Sequence, residues 1–212
     1  MDFLKFKRQV QNQAIIFSQD VVRGLNRPQA MRNQLTRWQK KGLLIHLRKG
    51  IYVLNPDDRK IEIDQTVIAN ILYQPSYISL EYALNFYGLI PEGVSDVTSV
   101  ATRKTAAFHN ELGTFRYQHI NPEAFRGFKK MGEGQNTFFM AVAEKAIVDF
   151  LYLNLSQFHN NMREVLEQSY RFQNIETLNP KRLIELSLLF KNEKLSRAIK
   201  ELVIWIREKK RD

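Results

Sequence analysis

Residues 26–54 read NRPQAMRNQLTRWQKKGLLIHLRKGIYVL, and the first half of this stretch predicts an amphipathic helix. Asn26 is a candidate N-cap, and Pro28 suits the first helical turn, where its missing N–H costs nothing. Three apolar residues recur at the spacing of one buried helical stripe: Met31, Leu35 and Trp38. Gly42 then suits the end of the helix.

The second half of the stretch predicts a β-hairpin with cations at its turn. Residues 43–47 and 51–54 are two β-prone runs, and Arg48-Lys49-Gly50 lies between them. A helix followed by a basic hairpin is typical of a winged helix-turn-helix, a class of domain that places a helix in the major groove of DNA.

The polar side of the predicted helix carries the residue types that contact DNA. We expect base contacts from one set of side chains: Gln29, Arg32, Asn33 and Thr36. We expect phosphate or minor-groove contacts from a second set: Arg27, Arg37, Lys40, Arg48 and Lys49. No acidic residue occurs from Pro28 to Leu54. This pattern favours DNA docking over the alternative, which is a small three-helix domain with a solvated polar face.

The residues upstream complete the predicted module. One set indicates a first amphipathic helix: Phe3, Leu4, Phe6 and Val10. Ser18-Gln19-Asp20 then caps a short helix that Gly24 closes. The turn-forming run Asn55-Pro56-Asp57-Asp58 marks a boundary. We therefore predict a winged helix-turn-helix DNA-binding domain at residues 1–58 and a second domain at residues 59–212.

Charge is distributed unevenly between these two predicted domains. Residues 1–60 contain 13 Lys and Arg against 4 Asp and Glu, a net charge of +9, whereas the whole chain of 212 residues carries +10. A positive field over a small domain attracts polyanions and speeds their association. The near-neutral remainder of the chain indicates a structural or protein-facing role.

The composition also limits the chemistry that we expect. The chain has no cysteine, which removes disulfides, thiolate metal sites and cysteine nucleophiles and fits a cytoplasmic location. Residues 1–8 contain no continuous apolar run, so we expect no signal peptide. The sequence predicts no membrane span, and it contains neither a P-loop nor a dinucleotide-binding fingerprint.

The remainder predicts helices packed on a small antiparallel or mixed sheet. Asp64 and Ser79 are candidate caps of two helices, which should stop before Pro75 and at Gly88. The β-prone residues 97–102 and the alternating residues 115–120 indicate two strands, and segments 125–131 and 136–140, which flank Gly132-Glu133-Gly134, indicate a hairpin. The most apolar helix of the chain is expected at 141–155, and three more helical segments follow at 161–172, 180–190 and 193–210.

Candidate catalytic residues are few. His109, Glu111 and His119 suggest a metal site only weakly, because a catalytic metal needs three ligands with a supporting second shell. We expect His119 to be an ordinary half-buried histidine on the strand face of Phe115 and Tyr117. The sequence therefore predicts no catalytic residue, no metal site and no cofactor.

Lys145 and Asp149 are four residues apart in the apolar helix, so we expect them to meet as a partly buried structural ion pair. A catalytic role for these residues is the alternative. Glu144 should take another cation, and the candidates are Arg103, Lys104 and Arg116.

Three blocks of sequence together resemble the AbiEi family, the antitoxins of the abortive-infection E system, a type IV toxin–antitoxin system. The blocks are GLLIHLRKGIY at 42–52, PSYISLEYAL at 75–84 and AEKAIVD at 143–149, so the likeness covers about the first 155 residues. The resemblance implies an N-terminal winged helix that represses its own promoter. It also implies a C-terminal domain that counters a separately encoded nucleotidyltransferase-like toxin without requiring a stable complex.

These features predict an α+β protein in which a winged helix-turn-helix precedes a mixed helix–sheet domain with C-terminal helices. We expect a DNA-binding transcriptional regulator of the AbiEi antitoxin type. Its expected partners are double-stranded DNA at its own promoter and, functionally, the toxin; no membrane is expected. The first alternative is a protein-binding module that docks a partner on its basic winged helix. An enzyme of unrecognised type is the second.

Overall fold

A computed structural model of the chain describes residues 1–158 and 162–211, which have a mixed α+β architecture that ends in helices. The elements of the first 58 residues are α1 (Phe3–Val10), β1 (Ile16–Phe17), α2 (Ser18–Val22), α3 (Pro28–Lys40), β2 (Leu44–Arg48) and β3 (Ile51–Leu54). The three helices and the hairpin occur in the predicted order, whereas the short strand β1 was not predicted. The three strands form an antiparallel sheet in the order β1-β3-β2. The hairpin predicted from Arg48-Lys49-Gly50 is confirmed, with Gly50 at a φ of +81° in its turn.

The helix ends of this region follow the sequence only in part. Pro28 begins α3 and Gly42 follows its end with a φ of +70°, as predicted. The prediction of Asn26 as the N-cap is wrong, because the cap position is Arg27 and no side chain caps the helix. The predicted cap of α2 is also wrong: Ser18 is already inside the helix.

The elements after residue 58 build a larger layer of sheet and helix. The helices are α4 (Gln65–Leu72), α5 (Leu80–Phe86), α6 (Ala143–Leu153), α7 (Met162–Glu164), α8 (Pro180–Leu188) and α9 (Glu193–Lys209). The strands are β4 (Ser76–Ile78), β5 (Val97–Ala101), β6 (Ala106–Asn110), β7 (Gly113–His119), β8 (Phe128–Met131) and β9 (Phe138–Ala141). In the described chain these strands form one mixed sheet in the order β6-β7-β5-β4-β9-β8, with the pairs β5·β7 and β4·β9 parallel.

Most of the predicted elements in this part are confirmed: α4, α5, β5, β7, the β8–β9 hairpin, α6, α8 and α9. Strands β4 and β6 were not predicted. The first residue of the helix predicted at 161–172, Asn161, lies outside the described residues, as do residues 159 and 160. From Met162 onward the predicted helix is a single helical turn followed by a π-helical turn at Val165–Ser169.

Helix α6 lies at the centre of this layer and carries a buried ionic cluster. Lys145 and Asp149 form the predicted ion pair, but they are fully buried rather than partly buried. The second oxygen of Asp149, Oδ2, accepts from Tyr77 Oη at 3.0 Å and from Ser79 Oγ at 2.8 Å. Burial lowers the pKa of Lys145 and raises the pKa of Asp149, while their mutual attraction opposes both shifts.

Two of the side-chain roles predicted around α6 are wrong. The hydroxyl of Ser79 does not cap α5, because it donates to Asp149. Glu144 does not pair with the predicted cations on the sheet. It accepts from the backbone N of Asn179 at 3.1 Å and lies 4.0 Å from the Arg182 side chain, so it holds the start of α8 against α6.

The small β1-β3-β2 sheet is buried on both faces. On one face, a set of side chains packs with α1 and α3 in an N-terminal core: Ile16, Leu44, Tyr52 and Leu54. On the other face, Ile45, Leu47 and Val53 are buried in the same core as α4 and the large sheet. The N-terminal region therefore shares apolar burial with the rest of the chain instead of being joined to it by a linker alone.

Polar contacts cross the same boundary. Gln135 bridges it twice, because its Oε1 accepts from Ala14 N at 2.8 Å and its Nε2 donates to Asn12 O at 2.9 Å. The backbone N of Lys60 also donates to the carbonyl of Gln11 at 3.2 Å. These contacts fix the N-terminal region on the body of the protein.

Candidate nucleic-acid interface

Helix α3 divides cleanly into a buried and an exposed side. Its stripe of Met31, Leu35 and Trp38 is buried, and the centre of the tilted Phe6 ring lies 4.7 Å from the centre of the Trp38 ring. The residues predicted to contact bases or phosphates along this helix are all exposed: Gln29, Arg32, Asn33, Thr36, Arg37 and Lys40. The helix therefore presents one continuous polar surface to solvent.

The predicted base-contacting residues are brought together on this surface. Gln29 Nε2 donates to Asn33 Oδ1 at 3.0 Å, which places the two amides side by side. The Thr36 hydroxyl donates to the Arg32 carbonyl at 3.2 Å, so its proton is used within the helix and its lone pairs are free to accept. Side-chain amides and Arg are the groups that read base edges in the major groove.

The cations of this surface carry unneutralised charge. Within residues 1–158 and 162–211, no ion pair involves any member of this set: Arg27, Arg32, Arg37, Lys40 and Lys49. By contrast, Lys7 and Arg23 in the same region pair with Asp58 and Asp20. The α3 surface and the hairpin turn therefore carry positive charge that no ion pair of the described chain neutralises.

The two cations of the hairpin turn have different placements. Lys49 is exposed. Arg48 points into the protein, where it donates to the carbonyl of Leu72 and its Cζ lies 4.7 Å from the centre of the Phe108 ring. This placement argues against a phosphate contact for Arg48.

A register shift in the hairpin explains the inward direction of Arg48. His46 pairs with Tyr52 and Arg48 pairs with Ile51, so Leu47 is an extra residue on β2. Strict alternation would put Arg48 on the face of His46, whereas an extra residue of the kind found in a β-bulge resets the alternation. Leu47 and Arg48 consequently both face the body of the protein.

An open groove runs beside this surface, between α1 and the start of α3. It is lined by apolar side chains, among them Leu25 and Met31, and by the cations Lys5, Arg27 and Arg37. Leu25 is 44% exposed, so part of the apolar lining is open to solvent. The groove is thus lined by both apolar and basic side chains.

Other candidate chemistry is not assembled in the described chain. No group of three or more His, Asp or Glu among the described residues is placed to hold a metal ion. His109 Nδ1 lies 2.9 Å from Thr114 Oγ1 on the sheet surface, and His46 lies against the Tyr52 ring. The prediction of a half-buried His119 is wrong: the residue is exposed at the end of β7, where the buried positions stop at Tyr117.

Comparison with models of known protein families found no match, and comparison with curated proteins found none either. A functional assignment therefore depends on the residues of this chain. None of the described helices has both the length and the apolar character that a bilayer span requires.

Proposed function

We propose that this chain is a DNA-binding transcriptional regulator of the AbiEi antitoxin type. In this proposal residues 1–58 are a winged helix-turn-helix that binds double-stranded DNA at the promoter of its own gene, with α3 in the major groove and Lys49 at the wing tip. The remainder of the chain counters a nucleotidyltransferase-like toxin.

The order of elements supports the winged-helix assignment. A helix that crosses the DNA backbone, a recognition helix and a β-ribbon are the parts from which such readers are built. Here α2 precedes α3 by a short turn at Gly24, and the β2–β3 hairpin follows α3 directly. The exposed ends of α3 and of the hairpin carry Arg37, Lys40 and Lys49 without carboxylate partners in the described part of the chain.

The observation that carries the proposal is the unneutralised polar face of α3. A helix face that is only solvated usually mixes acidic and basic residues in pairs, whereas this face has cations, amides and a hydroxyl, with no acidic residue from Pro28 to Lys40. Arg, Asn and Gln are the side chains that form bidentate contacts with guanine and adenine. The surface is thus suited to base readout as well as to nonspecific attraction.

Base discrimination tests this proposal. The full-length variant Arg32→Ala/Asn33→Ala should lose about 1–3 kcal/mol of preference for promoter over random duplex for each base contact removed. Competition binding by fluorescence anisotropy measures that preference. The matched control is Arg126→Ala/Asn136→Ala, which removes the same residue types from exposed positions in the second half of the chain. If both variants prefer promoter over random duplex to the same extent, Arg32 and Asn33 of α3 do not contact bases.

The antitoxin role is supported by the three sequence blocks alone, and it needs a separate test. A full-length variant with Arg32, Asn33, Arg37 and Lys49 changed to alanine should lose promoter binding and still protect cells that express the cognate toxin. Loss of protection by a folded, abundant variant would mean that antitoxin activity depends on DNA binding. That result would contradict a two-function protein.

A protein-docking role is the second candidate, because the groove lined by Leu25, Arg27 and Arg37 suits an acidic amphipathic segment. The two candidates differ in one property. A docking module has no reason to bind duplex DNA with a steep dependence on salt, whereas a DNA reader must do so.

A further inference from the structure

The loop between β5 and β6 forms a second basic surface that is separate from α3. We call it the loop groove; it is lined by Tyr73, Thr102, Arg103, Lys104, Thr105 and His119. No carboxylate lines it, and no ion pair within residues 1–158 and 162–211 involves Arg103 or Lys104. This groove therefore concentrates positive charge in a part of the chain whose overall charge is close to neutral.

Arg103 is held in position by the protein. Its Cζ lies 5.0 Å from the centre of the Tyr73 ring, and its Nη1 donates to the carbonyl of Gln74 at 3.3 Å. A guanidinium has five N–H donors, so most of them stay available to a ligand. His119 Nδ1 donates to the Arg103 carbonyl at 3.1 Å, which fixes the backbone of the loop as well.

The loop groove is next to the hairpin turn. Tyr73 is the shared element, because Arg48 Cζ lies 5.6 Å from the centre of the same ring that Arg103 contacts. Arg48 immediately precedes Lys49, the exposed cation of the turn. The inward Arg48 thus joins the turn to the loop groove across one aromatic ring.

We propose that the loop groove binds the phosphate backbone of the DNA duplex that flanks the segment contacted by α3 and Lys49. This inference rests on the proposed DNA-binding function and extends it to the second half of the chain. Arg, Lys and Thr side chains are typical phosphate donors, and they position a protein on DNA without reading its sequence. Lys49, Arg103 and Lys104 together then form one track along the backbone.

The test compares two full-length variants of equal charge. Arg103→Gln/Lys104→Gln removes the cations of the loop groove, and Lys181→Gln/Lys200→Gln removes two exposed cations from the C-terminal helices. Each protein is titrated with a promoter duplex of about 30 base pairs at several salt concentrations. The slope of log K against log salt is negative, and the loop variant should reduce its magnitude by about 1–2. Binding should weaken on the order of tenfold per lost contact near 0.1 M salt. The control variant should behave as wild type.

Duplex length gives a second readout. On a duplex trimmed at the wing side to the segment beneath α3 and Lys49, wild type and the loop variant should bind alike, because the flanking phosphates are gone. The single variant Lys104→Glu repeats the test without disturbing Arg103, since the only polar contact of Lys104 in the described chain is through its backbone carbonyl.

The outcomes separate this inference from the function on which it rests. If wild type shows no salt-dependent binding to the promoter duplex, the proposed DNA-binding function fails and takes the inference with it. If wild type binds but the loop variant matches the control in slope and affinity on the long duplex, the loop groove is not a phosphate site and the proposed function stands.

Discussion

Arg48 and Lys49 are adjacent cations with different surroundings in the fold. The sequence alone predicted DNA contacts for both, because alternation along a hairpin does not reveal an extra residue such as Leu47. Arg48 contacts the Leu72 carbonyl and the Phe108 ring, whereas Lys49 is exposed.

We therefore expect two different effects from single alanine substitutions at these positions. Lys49→Ala should reduce the magnitude of the slope of log K against log salt for DNA binding by about 1. It should have little effect on the free energy of unfolding. Arg48→Ala should lower the free energy of unfolding by about 1–3 kcal/mol, because it leaves the Leu72 carbonyl without its partner and removes a cation–π contact. Urea titrations and salt-dependent DNA binding measure the two quantities. If the Arg48→Ala protein is as stable as wild type but its DNA binding depends less on salt, Arg48 contacts DNA, and the distinction between the two residues is wrong.

Both side chains of the Lys145–Asp149 pair are fully buried, and Asp149 also accepts from Tyr77 and Ser79, so we predict a structural role for the pair. Lys145→Met should destabilise the protein by about 3–5 kcal/mol, because it strands a buried carboxylate. The double variant Lys145→Met/Asp149→Leu should recover much of that loss. A double variant as unstable as the single one would show that the charge itself is not the cause.

Tyr117 links stability to alkaline pH. Burial raises the pKa of Tyr117 well above its ordinary value, against the opposing charge of Arg48, and its hydroxyl donates to Ala69 O at 2.6 Å. Because the pKa is higher in the folded state, this contribution to stability is complete below pH of about 10 and is lost as pH rises above it. The stability advantage of wild type over Tyr117→Phe should therefore shrink by about 1.4 kcal/mol per pH unit above pH 10. A constant difference between the two proteins at pH 9 and pH 11 would contradict the shift.

The helices and strands that were predicted correctly are those in which apolar residues recur at the spacing of a helix or a strand. Strand β7 alternates buried Phe115 and Tyr117 with exposed neighbours, and α3 has a complete apolar stripe. Strand β4 was missed because Ser76, Tyr77 and Ile78 are all buried between two neighbouring strands, so no alternation exists. Strand β6 was missed because it is half exposed at the edge of the sheet and has few large apolar residues.

Roles that depend on distant partners could not be predicted from local sequence. Ser79 has the residue type and position of a helix cap, yet its hydroxyl donates a hydrogen bond to Asp149, which is 70 positions away in the sequence. The loop groove depends on Tyr73, which lies in another part of the chain from Arg103 and Lys104. The charged face of α3 was predictable because all its members lie on one helix.

In the whole molecule, one face of the small β1-β3-β2 sheet is buried against the large sheet, so the stabilities of the two predicted domains depend on each other. Ile45, Leu47 and Val53 belong to the N-terminal region but are buried with the large sheet, so separation at residue 58 would expose them. A boundary with few contacts would let each part unfold alone. The burial seen here predicts a single cooperative transition instead.

The two tryptophans make this testable, because Trp38 is buried in the N-terminal core and Trp205 in the C-terminal helix α9. In Trp205→Phe the fluorescence reports only Trp38, and in Trp38→Phe it reports only Trp205. Within each variant the fluorescence midpoint in urea should coincide with the midpoint of the circular dichroism signal of the whole chain. Loss of Trp38 fluorescence at clearly lower urea than loss of total helix signal would show independent domains.

The central claim is that unpaired cations on α3 and the wing bind the DNA backbone, and the salt dependence of promoter binding by the full-length protein tests it most directly. Four phosphate contacts, from Arg27, Arg37, Lys40 and Lys49, contribute about −3.6 to the slope of log K against log salt, and any contacts of the loop groove add to that value. The variant Arg37→Ala/Lys40→Ala/Lys49→Ala should reduce the magnitude of that slope by about 3, whereas Lys181→Ala/Lys194→Ala/Lys200→Ala should leave it unchanged. Equal slopes for the two triple variants, or wild-type binding that does not weaken with salt, would contradict the account.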